Sequence, residues 1–368
     1  MNLKTIRIIR YVTSCIVILF SFQCMAQDVL VENLDFSNKE IKYSGVFSKP
    51  SGDGPFPVVI LLSGMGLQTR DWSFAGGKYK MAKVIADFLN KEGIAVYRFD
   101  DRGYGESTGS AESEVPFDVL SADIFEAVKL LKSRADVQSV GLLGHSLGGI
   151  LAIMTAGEHT EVDFIITLSG SYQNGAEIKM EQASTLKRWR TSAEMTDEEV
   201  VRKGEEFAEA SLSFSNGGEG LETMKEILKE LVTFQIMTLP ADIMAENLTV
   251  YKDTTEFIQK SYEGAVDYYT SAHQKSFIAY DPAEGLKKVN CPILILFGEK
   301  DNHVTVKSNM PKIGKTLLTN SFSDLTIKII PEADHGYSGP QYFDKGEMVP
   351  QVLEFISNWI NFRKYYSK

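Results

Sequence analysis

Val140-Gly141-Leu142-Leu143-Gly144-His145-Ser146-Leu147-Gly148-Gly149 decides how this chain is read. An apolar stretch, Ser139–Leu143, has the character of a short strand. An equally apolar stretch, Leu147–Gly157, has the spacing of a helix. The glycines between them permit a sharp reversal, which would hold Ser146 on a strained bend with its hydroxyl exposed. The amino end of the following helix favours negative charge beside it. A bare G-x-S-x-G says little, but between a strand and a helix it reads as a nucleophile.

The pattern extends outward from that turn. Val29–Phe36 and Lys42–Ser48 read as two early strands joined by a turn. Pro57–Ser63, Ile94–Asp100, Phe164–Leu168, Pro292–Phe297 and Leu325–Ile330 read as further strands. Several are continuous apolar runs, as strands covered on both faces must be. Helical periodicity marks Tyr79–Glu92, Phe117–Arg134 and Val349–Tyr365. Alternating strands and helices predict a mostly parallel sheet with helices on both faces, an α/β fold. Ligands in such sheets bind beyond the carboxyl ends of the strands. Between Tyr172 and about Tyr280 the strand pattern stops. Charged amphipathic stretches replace it, at about Ala176–Arg190, Thr196–Leu212, Leu221–Leu239 and Thr254–His273, with Ser215-Asn216-Gly217-Gly218 as a break. Residues 172–280 therefore read as a helical cap inserted between core segments 27–171 and 281–368.

A serine hydroxyl needs a base to take its proton. Of the five histidines, His335 lies between the last strand and the last helix, where a late-chain base belongs in the order Ser, Asp, His. His145 adjoins the serine but points elsewhere on the turn, His159 reads as solvated, and His303 is the alternative base. The base in turn needs a carboxylate to orient it. Asp301, directly after the strand Pro292–Phe297, is the expected partner, with Glu299 and Asp334 as rivals. Oxyanion donors are expected from the backbone N–H of Leu147 and, in the loop Ser63-Gly64-Met65-Gly66, from that of Met65. No cofactor is required, and no metal-ligand spacing is present.

These segments together are similar to the α/β-hydrolase superfamily over nearly the whole chain outside residues 172–280. The motifs that carry the resemblance are SGMG at 63–66, DDRGYGES at 100–107, GHSLGG at 144–149, GEKD at 298–301 and DHGY at 334–337. The resemblance implies an eight-stranded sheet and a Ser146–His335–Asp301 triad. It makes Asp100–Ser107 a structural tight turn, with Arg102 fixing the loop through carboxylates. Within the superfamily the chain resembles exported bacterial serine carboxylesterases, whose oxyanion loop is followed by an Arg-Asp pair, here Arg70-Asp71. It departs from the commoner pattern in having Ser63 rather than a histidine before Gly64.

Composition narrows the function classes. The chain has 368 residues, 43% of them hydrophobic, and a formal net charge of −11. That is globular, and too acidic for phosphate-backbone binding without a basic cluster, so no nucleic-acid partner is expected. Lys4, Arg7 and Arg10, an apolar run from Ile16 to Phe22, and Cys24-Met25-Ala26 read as a signal peptide over residues 1–26. Periplasmic or extracellular export follows, without stable membrane insertion after cleavage; anchoring through Cys24 is the lesser reading. Cleavage would remove Cys15 and Cys24 and leave Cys291, which opens a strand and reads as a small buried hydrophobe.

The leading expectation is a serine hydrolase acting on a small-molecule carboxylic ester. An aminopeptidase or prolyl-oligopeptidase-like peptidase is the alternative. It would need carboxylates for a substrate amine, with Glu205, Glu206 and Glu209 as candidates. A binding protein on an inert hydrolase fold is the non-enzyme reading. Trp189, Phe234, Met237, Tyr268 and Tyr269 are the aromatic and Met candidates for a pocket wall, or else form the core of the helical segment.

Overall fold

The computed structural model describes residues 28–186, 189–319 and 324–364. Residues 1–26, where a signal peptide is expected, lie outside them. Eight strands form one sheet: β1 (Val29–Asn33), β2 (Gly45–Pro50), β3 (Phe56–Leu62), β4 (Ala95–Phe99), β5 (Val137–His145), β6 (Phe164–Leu168), β7 (Ile293–Gly298) and β8 (Leu325–Ile330). Their spatial order is β1-β2-β4-β3-β5-β6-β7-β8. Strand β2 pairs antiparallel with both β1 and β4, and the remaining pairings are parallel.

The apolar runs are explained by the two faces of this sheet. Along β3, Val58, Ile60 and Leu62 point into one core while Val59 and Leu61 point into the other. Strand β7 divides the same way, with Ile293, Ile295 and Phe297 on the first face and Leu294 and Leu296 on the second. Side chains alternate with a period of two, so a strand covered on both sides must be apolar at every position. Helix α1 (Met81–Lys91) covers one face, while α2 (Phe117–Lys132) and α3 (Leu147–Glu158) cover the other.

Between β6 and β7 the chain forms α4 (Gly175–Leu186), α5 (Asp197–Ser215), α6 (Leu221–Met237), α7 (Ala241–Asn247), α8 (Thr254–Thr270) and α9 (Ala272–Ala279). Helix α5 begins with a capping box in which Thr196 and Glu199 satisfy each other's backbone N–H groups. After these come α10 (Pro282–Leu286), α11 (Val306–Thr319), α12 (Gly339–Phe343) and α13 (Pro350–Lys364). Among the described residues no helix is long and apolar enough to cross a membrane.

Four expectations need correction. The first strand stops at Asn33, and residues 36–43 fold into a separate small hairpin because Leu34 and Asp35 bond to Gly45 instead. The single helix expected over Thr254–His273 is two helices. Ser271 adopts extended backbone and caps α9 through the Gln274 amide, so His273 belongs to the second helix. Helix α4 is described only to Leu186, short of Arg190. Helix α11 was not expected at all, because Pro311 lies inside it and interrupts its pattern.

The Asp100–Ser107 turn is tied down by ion pairs. Arg70 holds Asp100 bidentately, with Nε at 2.9 Å from Oδ1 and Nη2 at 2.7 Å from Oδ2, and also reaches Glu106. Arg102 lies 2.8 Å from Asp123 Oδ2, and the same carboxylate accepts from Tyr43 Oη and from Asn38 Nδ2. Arg102 therefore works through one carboxylate, and Arg70 takes the larger share of holding the turn. The Arg102–Asp123 pair is almost fully buried. Asp123→Ala is expected to cost about 3–5 kcal/mol, because it strands a buried guanidinium. Urea unfolding midpoints will show it, and a loss under about 1 kcal/mol would mean that water solvates Arg102.

Candidate active site

Strand β5 runs straight into Ser146, which has φ 53° and ψ −116° and immediately precedes α3. The left-handed backbone at a non-glycine residue is strain, of order 1–3 kcal/mol, stored where the chain reverses. Two glycines make the reversal fit. A Cβ on Gly144 would sit 2.0 Å from the Gly148 carbonyl oxygen, and one on Gly148 would sit 2.2 Å from the Leu62 oxygen. The Ser146 amide donates to Leu168 O at 2.9 Å, which fastens the bend to the end of β6.

Ser146 opens onto a cavity of about 410 Å³ whose wall also includes Gly64, Met65, Leu147, His303 and His335. His335 comes from the loop after β8, as its place in the sequence predicts. Its Nδ1 lies 2.9 Å from Oδ2 of Asp301. The other oxygen of Asp301 accepts the amides of His303 (2.8 Å) and Val304 (2.9 Å). Burial raises the Asp301 pKa, but the hydrogen bond and charge of His335 and the Val304 amide outweigh it, and the net shift is downward. An ionised carboxylate only accepts, so Nδ1 of His335 carries a proton and donates it to Asp301.

The rival acids are occupied elsewhere. Asp334 accepts the amides of Gly336, Ser338 and Gly339, and Glu299 accepts that of Glu332. The ring of His303 lies 5.0 Å from that of His335, while its amide serves Asp301. His159 is partly exposed, with its ring stacked on Phe125 at 3.6 Å between centroids. Cys291 is half-buried against the core, and burial pushes its thiol up to about 12.

Two residues support this arrangement to which sequence reasoning assigned no role in it. His145 contacts the histidine loop, its ring centroid 4.9 Å from that of His335. Its Nε2 lies 2.8 Å from the His335 carbonyl oxygen, and burial drives its pKa down to about 3. A neutral ring facing a carbonyl must donate, so His145 carries its proton on Nε2 and pins the backbone of His335. Tyr337 is fully buried. Its hydroxyl donates to Leu296 O (2.7 Å) and accepts the Ser169 amide (2.9 Å), which joins the loop to the ends of β6 and β7. Its place in DHGY was the available signal.

The loop holding Gly64 and Met65 is anchored from beneath. Ser63 Oγ donates to Asp101 Oδ1 at 2.7 Å, and the Gln68 amide donates to Oδ2 at 2.6 Å. Burial lifts the Asp101 pKa to about 7 against those two hydrogen bonds. Ser63, which stands where a histidine is commoner, thus has a structural task. Leu147 opens α3, where helix geometry leaves an amide without an intrahelical acceptor. Among the described residues no three His, Cys, Asp or Glu side chains converge on a metal-sized site.

Tyr268 and Tyr269 line the cavity. Trp189 packs with Val200 and Phe207 inside the helical segment, Met237 is 63% exposed, and Phe234 is absent from the cavity wall. Glu205, Glu206 and Glu209 line a different groove, with Arg202 and Lys203. They are not part of the Ser146 cavity, which leaves the amine-binding role without support.

A strand–serine–helix elbow at the carboxyl end of an eight-stranded, mostly parallel sheet, facing a histidine loop after the last strand, defines a protein class. This chain belongs to the α/β-hydrolase superfamily. The family model described as serine aminopeptidase, S33, matches residues 75–235, and that of the prolyl oligopeptidase family matches residues 220–363. The chain is 28% identical over 341 residues to Esterase EstD of Thermotoga maritima, covering 90% of this chain and 69% of that protein. In structure it is similar to an esterase of Pyrococcus furiosus, with TM-score 0.53, 14% identity and 92% of both chains covered. It is also similar to Est1E of Butyrivibrio proteoclasticus, with TM-score 0.50, 15% identity, and 90% and 99% covered.

Proposed function

We propose that this protein is a carboxylesterase-type serine hydrolase acting on small-molecule esters of short or medium acyl chains. The observation that carries the reading is the shared cavity of Ser146 and His335, with Asp301 2.9 Å from His335 Nδ1. In this mechanism the Ser146 oxygen attacks the ester carbonyl carbon and its proton passes to His335 Nε2. The carbonyl oxygen becomes an oxyanion facing the Met65 and Leu147 amides, each such donor being worth about 3–4 kcal/mol. Asp301 orients the ring and stabilises the imidazolium. The C–O bond then breaks, the alcohol leaves with the proton from His335, and an acyl-serine remains. Water, deprotonated by the same histidine, attacks the acyl carbon and releases the acid. The helices of residues 172–280 act as a cap that shapes the acyl or alcohol site through Tyr268 and Tyr269. Residues 1–26 direct export, so that the substrates are met outside the cytoplasm.

A peptidase reading is favoured by the names of the two matching family models. The cavity wall speaks against an amine-binding version of it, since among the described residues that line it there is no Asp or Glu side chain. The discriminating experiment compares p-nitrophenyl acetate, butyrate and octanoate with a panel of amino-acyl p-nitroanilides. Ester turnover with inert anilides is expected. Anilide cleavage exceeding ester cleavage would replace the proposal with a peptidase.

A further inference from the structure

Beneath the loop that carries Gly64 and Met65 lie two buried acids that the catalytic steps above do not use. Asp101 and Glu112 share the wall of a small cavity of about 30 Å³ with Ser63, Tyr43, Arg102 and Asp123. Asp101 takes the Ser63 hydroxyl on one oxygen, at 2.7 Å, and the Gln68 amide on the other, at 2.6 Å. One carboxylate thus grips the chain on both sides of Gly64-Met65-Gly66. The other charged groups around the cavity are paired among themselves. Arg102 holds Asp123, whose same oxygen accepts from Tyr43 Oη, and Arg70 holds Asp100 and Glu106. From α9, the ring of His273 packs on Phe117 at 5.2 Å between centroids, and burial keeps it below its ordinary pKa. Burial and the Asp101 charge push Glu112 well above the ordinary carboxylate range, which keeps it protonated at neutral pH. Burial, opposed by the two hydrogen bonds, leaves Asp101 at about 7.

We propose that Asp101 is a pH-gated positioning residue, which fixes the Met65 amide for the oxyanion while it is ionised and loosens it on protonation. The proposal rests on the esterase reading for the oxyanion that Met65 receives, and on the two hydrogen bonds of Asp101 for the grip. An ionised carboxylate accepts both bonds with charge assistance. A protonated one keeps a carbonyl oxygen as acceptor but turns its hydroxyl into a donor, so one of the two contacts is weakened or reversed. Glu112 stays neutral, which leaves Asp101 as the group of the pair that changes. A looser Met65 amide acts where the oxyanion forms, in the transition state, so kcat falls while KM moves little.

The test compares kcat for p-nitrophenyl butyrate in the wild type and in Asp101→Asn, which mimics the neutral acid, on both sides of the Asp101 pKa of about 7. In the ratio of the two, the protonation of His335 cancels. That ratio is expected to climb from near unity on the acid side to about 5- to 10-fold on the alkaline side, the difference between a charge-assisted and a neutral hydrogen bond. A ratio independent of pH overturns the proposal, because a merely structural loss is the same at every pH. Glu112→Gln exchanges one neutral group for another and should leave the wild-type profile in place. A profile altered as in Asp101→Asn would assign the ionisation to Glu112 and overturn the proposal. A second measurement needs no substrate and so separates the proposal from the esterase reading. Amide hydrogen exchange over residues 63–70, corrected for the intrinsic effect of pH, should show protection of the Gln68 amide rising as pH passes about 7 in the wild type. Ser63→Ala removes a hydrogen bond that lowers the Asp101 pKa, so it should move that rise to higher pH, whether or not Asp101→Asn folds. Protection that is flat in the wild type, or unmoved in Ser63→Ala, overturns the proposal. If no ester is cleaved, the esterase reading falls and the exchange measurement alone decides.

Discussion

Ser146→Ala is expected to lower kcat for p-nitrophenyl butyrate by roughly 10⁴- to 10⁶-fold while the protein stays folded. The physical reason is the loss of the one atom placed to bond the acyl carbon. What remains is binding and the oxyanion donors, which in serine hydrolases retain roughly 10³–10⁴ over the uncatalysed rate. The backbone argument predicts little structural cost. Alanine tolerates the φ of 53° about as poorly as serine does, and the reversal depends on the absence of side chains at Gly144 and Gly148. Burst titration with a fluorophosphonate should find one reactive serine per wild-type chain and none in the variant. Retention of more than about a hundredth of the wild-type kcat, with a matching melting temperature, would move the nucleophile elsewhere.

Asp301→Asn should be nearly as damaging, with kcat lower by about 10⁴-fold. The amide can keep its oxygen on the His303 and Val304 amides, which now bind Oδ1 of the aspartate. Its nitrogen then faces Nδ1 of His335, 2.9 Å away, as a donor. That contact favours a ring with its proton on Nε2, which cannot accept the serine proton. Loss of the carboxylate charge also removes what stabilises the imidazolium. The informative control is Asp334→Asn. That side chain adjoins His335 in sequence but holds the Gly336, Ser338 and Gly339 amides, so kcat should change by less than about tenfold. Equal losses in the two variants would show that general disorder of the loop, rather than the histidine tautomer, governs the rate.

Where local chemistry demanded particular residues, the amino-acid sequence was readable. The strand–Gly–x–Ser–x–Gly–helix turn needs small residues at fixed offsets, because backbone approaches backbone there. Strands β3, β6 and β7 must be apolar at every position, because both faces are covered. Asp301 and His335, proposed as acid and base, are separated from the serine by long stretches of chain, but each follows a strand that ends at the same edge of the sheet.

What failed in the reading was long-range. His145 looks like a spacer beside the serine, and only the folded chain brings its Nε2 to the His335 carbonyl. Only the packing of the helices decided which groove Glu205, Glu206 and Glu209 line.

The sequence by itself determined the superfamily, the sheet and the residues of the elbow, because each was imposed by neighbours along the chain or by the period of a strand. Tertiary structure alone decided which side chains share a wall with Ser146. A helix presents different residues to each neighbour, and the orientation of α4 against the sheet sends Glu177 and Glu181 one way and Lys179 the other.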